Sequence, residues 1–365
     1  MGSVQNQFQL TNQEEEDGLY GIQLLTSSLM PKVMEAAIEL DVFQIIARAG
    51  EEAQLSPREI ASKFATQNPE APIMLDRLLR LLASYSVLNC SIKTDDNGHV
   101  ESFYGLKSIC KYFLPNEDGV SFIPWLSMFQ YKTTQDFLPD TSDAVLHGGM
   151  AFNRVHGMNM FQYLGKDHKL ADIFNKMMYV HTKIVMKKIL AIYKGFEEVK
   201  QVVDIGGGLG NMSKIITSKY PTIKCINFDL PGVVETAPPL ERVEHVGGDM
   251  FASVPRGDTI FLKSVLHNWD DERCLKLLKN CYEALPNGGK VIAVDLVVPP
   301  VPEPTAAAKG MYQLDIVMML VSSGGKERTE KEFESLAKEA GFFSIILVCS
   351  AYNYWAMEFC KTEMN

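Results

Sequence analysis

A chain of 365 residues is long enough for two folded domains and a substantial core. Its net charge of −10 opposes binding to nucleic-acid phosphates or anionic membrane surfaces, and 46% hydrophobic with 22% charged residues is the balance of a soluble globular protein. Seven scattered cysteines without a C-x-x-C pair suit reduced thiols, and no segment has the composition of a signal peptide or membrane span, so the chain reads as cytoplasmic.

Residues 1–17 are polar and acidic, the composition of a disordered lead-in. From Gly18 to Ile46 apolar residues recur at helical spacing (Leu19, Ile22, Leu25, then Val33, Ala36, Ala37, Leu40), with a break expected at Pro31. Such helices pack on a partner chain or on their own domain. Ser56, Pro57 and Glu59 write a capping box that opens a helix, and an amphipathic helix follows over Ile73–Tyr85. Val87–Cys90 and Val100–Tyr104, joined by the turn Asp95–Gly98, predict a hairpin. Helix, turn, helix, hairpin is a winged-helix pattern, which raises a DNA-binding reading. The second helix, however, carries only Arg77 and Arg80 beside Asp76 and Glu70. That charge favours dimerisation over phosphate neutralisation as the role of this first domain, placed at residues 18–150.

Residues 115–146 are rich in aromatic and Met side chains, including Phe122, Trp125, Met128, Phe129 and Phe137, and Gly148-Gly149 marks a linker. Phe161–Tyr193 is expected to be helical, with Phe174, Met177, Met178 and His181 on related faces that form a bundle core, line a pocket, or both. Residues 151–198 are read as this helical connector. Beyond residue 199 strands and helices alternate (Val202–Ile205, Cys225–Leu230, Val243–Val246, Thr259–Leu266, Val291–Val297) and predict a mostly parallel, doubly wound α/β sheet. Ile345–Ser350 and Trp355–Cys360 close it as an antiparallel hairpin through Asn353.

The chemistry is written around Gln201–Gly210. A β-branched strand runs into Gly206, Gly207, Gly208 and Gly210 and then a helix, the opening unit of a nucleotide fold with its ligand over the strand's carboxyl end. The spacing is G-x-G-x-G, with Asn211 where a dinucleotide fingerprint needs its last glycine, so no pyrophosphate clamp is present. Asp204 before the turn suits a ligand with a cationic end, and Asp229 at the end of the second strand is placed for ribose hydroxyls. After the third strand, Asp249 can accept from an adenine amine while Met250 lies against the ring. His267 follows the fourth strand, Asp295 ends the fifth, and Glu327 sits in the turn Gly324–Thr329. A histidine with acids on one rim suits general-base removal of a hydroxyl proton. No metal-ligand spacing, nucleophile elbow or Walker loop supports a metallohydrolase or phosphotransferase.

Val-Val-Asp-Ile-Gly-Gly-Gly-Leu-Gly210, Asn-Phe-Asp-Leu-Pro231, Val-Gly-Gly-Asp-Met-Phe251, Leu-Lys-Ser-Val-Leu-His-Asn-Trp269 and Gly-Gly-Lys-Glu-Arg328 together resemble the plant small-molecule O-methyltransferases, in particular the caffeic acid branch. The resemblance implies an N-terminal winged-helix dimerisation domain, a homodimer, and a Rossmann-like domain over residues 199–365. That domain would bind S-adenosylmethionine and release S-adenosylhomocysteine without a metal. It places Gly206, Asp229, Leu230, Asp249, Met250 and Lys263 around the donor, and Met128, Phe174, Met178 and His181 near a small aromatic acceptor. His267 falls on the catalytic base, flanked by Asp295 and Glu327. The departures imply a change in the pocket. Asp295 stands in place of Glu, Asn268 in place of Asp, Ser264 in place of Trp, and Phe129 and Leu164 in place of polar residues. A shortened Ser322-Ser323 segment precedes the double glycine. Ser264 opens space on the acceptor side, and the lost polar groups imply an acceptor less polar than caffeic acid, among phenylpropanoids, phenylpropenes, coumarins or alkaloids. The alternatives are a donor-binding protein with elimination, cyclisation or no chemistry, and, more remotely, a winged-helix DNA-binding regulator.

Overall fold

The computed structural model describes residues 13–363, so most of the expected lead-in lies outside the described residues. Residues 13–17 are already helical. The chain forms two compact units that divide between Gln130 and Tyr131. The division precedes the expected position 150 because Phe137 and Ala144 pack with Ala151, Phe152 and Leu320 in one apolar cluster of the second unit. Gly148-Gly149 is therefore a turn within that unit, with both residues at positive φ.

The first unit contains α1 (Gln13–Thr26), α2 (Leu29–Glu39), α3 (Val42–Ala49), β1 (Gln54–Leu55), α4 (Pro57–Ala61), α5 (Ala71–Ser84), β2 (Leu88–Thr94), β3 (Val100–Leu106) and α6 (Ile123–Gln130). Val42, Phe43 and Ile46 of α3 meet Leu75, Leu79 and Leu82 of α5, whose i, i+4, i+7 spacing puts one stripe into the core. The strands form a small antiparallel sheet in the order β1-β3-β2, beside the helices of this unit. The capping box on α4 forms as expected: Glu59 N donates to Ser56 Oγ and Ser56 N donates to the Glu59 carboxylate. Pro31 does not break a helix. It lies in the first turn of α2, where an N–H would have no intrahelical acceptor, and the break falls at Ser27-Ser28. Leu19, Ile22, Leu24 and Leu25 of α1 are exposed.

The second unit opens with α7 (Lys132–Phe137), α8 (Thr141–His147), α9 (Ala151–His156), α10 (Met160–Leu164) and α11 (His168–Ile192). The single helix expected over Phe161–Tyr193 is thus two, because Asp167 accepts from Leu170 N and caps a fresh start. There follow β4 (Gln201–Ile205), α12 (Asn211–Lys219), β5 (Lys224–Asp229), α13 (Pro231–Val234), β6 (Val243–Gly247), β7 (Thr259–Lys263), α14 (Asp271–Ala284), β8 (Lys290–Leu296), α15 (Ala306–Val321), α16 (Glu330–Glu339), β9 (Ser344–Ala351) and β10 (Tyr354–Cys360). The seven strands are ordered β6-β5-β4-β7-β8-β10-β9. From β6 to β8 neighbours are parallel, with Val203 opposite Ile226 on one side and Ile260 on the other; β10 and β9 run antiparallel.

Alternation along the strands divides the core. Val203, Ile205, Ile260, Leu262, Val291 and Ala293 pack with α14 and α16, while Val202, Phe261, Ile292 and Val294 pack with α11, α12 and α15. The strand order reverses between β4 and β7, which opens a crevice at their carboxyl ends. The closing hairpin turns through Tyr352 and Asn353, both at positive φ, as a two-residue hairpin loop requires.

Candidate active site

Six elements bring their carboxyl-terminal ends or following loops to this crevice: β4 to β8 and the loop before α16. The turn after β4 is built for close approach. Gly206, Gly208 and Gly210 have positive φ, and a Cβ on Gly207 would overlap the Asn227 side chain at 2.0 Å, whereas nothing lies within 4 Å of the Cβ direction of Gly208. Asp229 locks this turn to β5: its Oδ2 accepts from Gly208 N at 2.8 Å and its Oδ1 from Leu230 N at 2.7 Å. Leu230 itself is exposed beside it, and Asp249 is exposed after β6, while Met250 is half-buried against the core.

Asp204, which the sequence reading offered to a ligand's cationic end, points into the fold. It is buried, and its Oδ2 accepts from both the backbone N (3.1 Å) and Oγ (2.8 Å) of Ser213, which ties β4 to the first turns of α12. Burial pushes its carboxyl up to about 7 despite those bonds. The accepting oxygen of Asp204 serves the helix rather than the crevice.

On the other side of the switch point β7 ends at Lys263, three residues before the expected Leu266. Ser264 adopts φ +55, which turns the chain into the short 3-10 segment Leu266–Asn268 and swings His267 onto the rim. His267 Nδ1 is 2.8 Å from Glu327 Oε1, with the imidazole 15% and the carboxylate 2% exposed. Donation from Nδ1–H to the carboxylate leaves Nε2 as the accepting nitrogen. Burial by itself lowers the imidazole's pKa; the charge and hydrogen bond of Glu327, with the charge of Asp295, outweigh it and raise the pKa above the ordinary histidine value.

Asp295, penultimate on β8, is fully buried, and neither of its carboxylate oxygens has a hydrogen-bond partner among the described residues. Burial, only partly offset by His267 and Lys263, pushes it up to about 7. The carboxyl therefore acts on the imidazole through its charge without bonding to it. Lys263 Nζ instead donates to His181 Nδ1 at 3.0 Å and lies 3.4 Å from Ser264 Oγ; burial lowers the ammonium to about 8. His181 is buried edge-on against Tyr354 with ring centroids 4.4 Å apart, and burial beside the Lys263 charge keeps it neutral.

The second unit thus brings together His267, Glu327, Asp295, Lys263, Ser264 and His181, with Gly206, Asp229, Leu230, Asp249 and Met250 at the ends of neighbouring strands. Phe174 and Met178 are half-buried on the α11 face that includes His181, at i, i+4, i+7 spacing. Leu164 ends α10. Met128 and Phe129 belong to α6 of the first unit, where Phe129 packs against Trp125 with centroids 6.1 Å apart. Sequence reasoning missed the Lys263–His181 pairing, the buried Arg328, and Asp315, whose Oδ1 accepts from Glu327 N at 2.8 Å. No spacing announces them, because each partner comes from a different element.

Among the described residues no group of His, Cys, Asp and Glu could hold a metal ion, and no helix is long and apolar enough to cross a membrane. Residues 139–343 match the family model of the O-methyltransferase domain, and residues 22–116 that of the O-methyltransferase dimerisation domain. The chain is 51% identical to a caffeic acid 3-O-methyltransferase of Catharanthus roseus over 99% of its own length and 100% of the relative's. It is 52% identical to one of Rosa chinensis, covering 95% of each chain. The solved structure of human N-acetylserotonin methyltransferase in complex with SAM superposes with a TM-score of 0.76 over 100% of both chains at 22% identity, a likeness of fold. A family model spanning more than half of the chain and relatives sharing half of its residues end to end make this protein a member of the O-methyltransferase family, an enzyme in which an O-methyltransferase domain follows an O-methyltransferase dimerisation domain.

Proposed function

We propose that the protein methylates a phenolic hydroxyl of a small aromatic plant metabolite from S-adenosylmethionine, with His267 as general base. The observation that carries this reading is the 2.8 Å His267–Glu327 bond on the rim shared with the glycine turn and Asp229. The residues present fit the donor. Gly208 leaves bare backbone open above the turn, Asp229 has a fixed carboxylate at the end of β5, Leu230 offers an exposed apolar side chain, and Asp249 an exposed acid. Bound there, the donor supplies a methyl group activated on a sulfonium.

The chain's own residues do the rest. Glu327 holds the Nδ1–H tautomer of His267 and stabilises the imidazolium, so that Nε2 takes the phenolic proton as the oxygen becomes nucleophilic. A phenol of pKa ~10 is scarcely ionised at neutral pH, and a raised histidine pKa narrows that gap. Alignment of the reacting groups away from water supplies most of the rate, about 7–11 kcal/mol in favourable cases. His181, Phe174, Met178 and Leu164 of the second unit are assigned to acceptor binding.

Relatives named caffeic acid 3-O-methyltransferase support a phenylpropanoid-like acceptor. Leu164 in place of a polar residue favours a less polar one, and Ser264 in place of a bulky residue leaves space for it. The dimerisation-domain match and the exposed apolar residues of α1 support a homodimer.

Incubation with methyl-labelled donor and a panel of hydroxycinnamates, phenylpropenes, coumarins and phenolic alkaloids tests the reading. Label is expected in a phenylpropene or coumarin ether, and His267→Ala is expected to lose at least about 100-fold in kcat while retaining donor binding. Full turnover in that variant would remove His267 from the role. The unbonded Asp295 favours one other reading, a donor-binding protein with altered chemistry; product formed without release of S-adenosylhomocysteine would identify it.

A further inference from the structure

We infer that Arg328 is a positioning residue for methyl transfer: its buried guanidinium ties the segment carrying His267 to the loop carrying Glu327 and so keeps imidazole and carboxylate in register. The inference rests on the reading of His267 as base and Glu327 as its partner. Arg328 has 0% exposure and is the largest fully buried side chain among the described residues. Nη1 donates to Leu266 O at 2.8 Å and Nη2 to Trp269 O at 2.8 Å, carbonyls that flank His267 and Asn268. Nε and Nη2 also donate to Asp271 Oδ1 at 2.9 and 2.7 Å, at the first residue of α14. Four N–H groups thus hold both ends of the turn that presents the base.

The backbone of Arg328 is fixed independently. Its carbonyl accepts from Val298 N at 3.0 Å, and it pairs in parallel with Val297, which prolongs β8 into the loop. Glu327, the preceding residue, is anchored through its N–H to Asp315 on α15. The two loops also interlock by shape, since a Cβ on Gly325 would stand 2.6 Å from His267 O and 3.0 Å from Asn268 C. Arg328 and Glu327 are adjacent in the chain, so displacement of the guanidinium moves the carboxylate relative to the ring it orients. A buried cation is a weak way to gain stability, and an apolar side chain would fill the space at no desolvation cost. What the guanidinium provides is a planar fork that fixes several acceptors at once, which a lysine ammonium cannot reproduce.

The test compares wild type, Arg328→Lys, Glu327→Gln and the double variant in pH profiles of kcat/KM, with donor binding measured by calorimetry as the check on integrity. Arg328→Lys is expected to lower kcat by about 10–100-fold, as a displacement of about 1 Å does, with the donor's KM changed little. Its acid limb should move to lower pH, because His267 loses the carboxylate that raises its pKa. The double variant should be no slower than Glu327→Gln alone, since both changes break the same pair. An acid limb that stays at the wild-type pH, or losses that multiply fully in the double variant, would overturn the inference. Should Arg328→Lys not fold, Asp271→Asn weakens the same fork from a half-exposed carboxylate. A smaller shift of the limb in the same direction is then expected, and no shift overturns the inference. His267→Ala, run alongside, separates the two readings. Retained turnover there defeats the assignment of the base, whereas a limb that moves in Glu327→Gln but not in Arg328→Lys defeats only the role of Arg328.

Discussion

Asp295 shows what burial without a donor does to an acid. Without a hydrogen-bond donor and with no exposure it stays protonated up to about pH 7, whereas in the unfolded chain it ionises near its ordinary value of 3.8. Between those values the native state binds the extra proton, so this residue makes folding stability fall as pH rises through the window. Asp295→Asn removes the titration. The melting temperature of the variant relative to wild type is therefore expected to climb from pH 5 to pH 7.5 in scanning calorimetry; a constant difference would show that the carboxyl finds a donor in solution. The candidate residues themselves were legible because the strand pattern fixes which positions end strands: Asp229 and Lys263 do so, and Asp295 stands one residue short of the end. Their partners were not. Asp204 reads like a ligand-facing acid, yet it caps α12 through Ser213, a choice decided by which hydroxyl packs beneath it. His181 lies 82 positions from Lys263, and only the folded path of α11 joins them.

Among the elements, the Gly324-Gly325 turn decides whether Glu327 can reach the base. Gly324 has φ +71, and Gly325 has no room for a side chain against His267 O and Ser322 Cβ. Gly325→Ala is expected to cost about 1–3 kcal/mol by overpacking. It should also reduce kcat while donor affinity is retained, as thermal melts and calorimetry would show. Unchanged kcat would mean that the loop relaxes without moving the carboxylate. Strands and capped helices followed from local pattern: the box on α4, the β-branched run of β4 and the hairpin of β9 and β10 each satisfy their own backbone. Expectation and structure part where a local signal is ambiguous. Pro31 ends a helix in mid-course but begins one in its first turn, and the apolar run beyond Lys263 continues as a strand only if Ser264 stays extended. At φ +55 it does not.

For the whole molecule, the reading of a homodimer gives α1 a task. Leu25 is 86% exposed, so an aspartate there costs the isolated subunit little. In an apolar interface it would bury an unpaired charge. Leu25→Asp is expected to sediment as a folded monomer; a dimer of unchanged affinity would place the contact elsewhere. The division into a helical unit and a parallel-sheet unit was visible in the order of periodicities, but its position was not, because the packing of Phe137 on Phe152 leaves no mark on composition. One consequence concerns biosynthesis. β10 is translated after every other strand, yet it lies inside the sheet and alone joins β9 to β8. Until residue 360 has left the ribosome, the nascent domain carries an open row of amide and carbonyl groups along β8, the moment at which edge-to-edge association with another unfinished copy is most favoured.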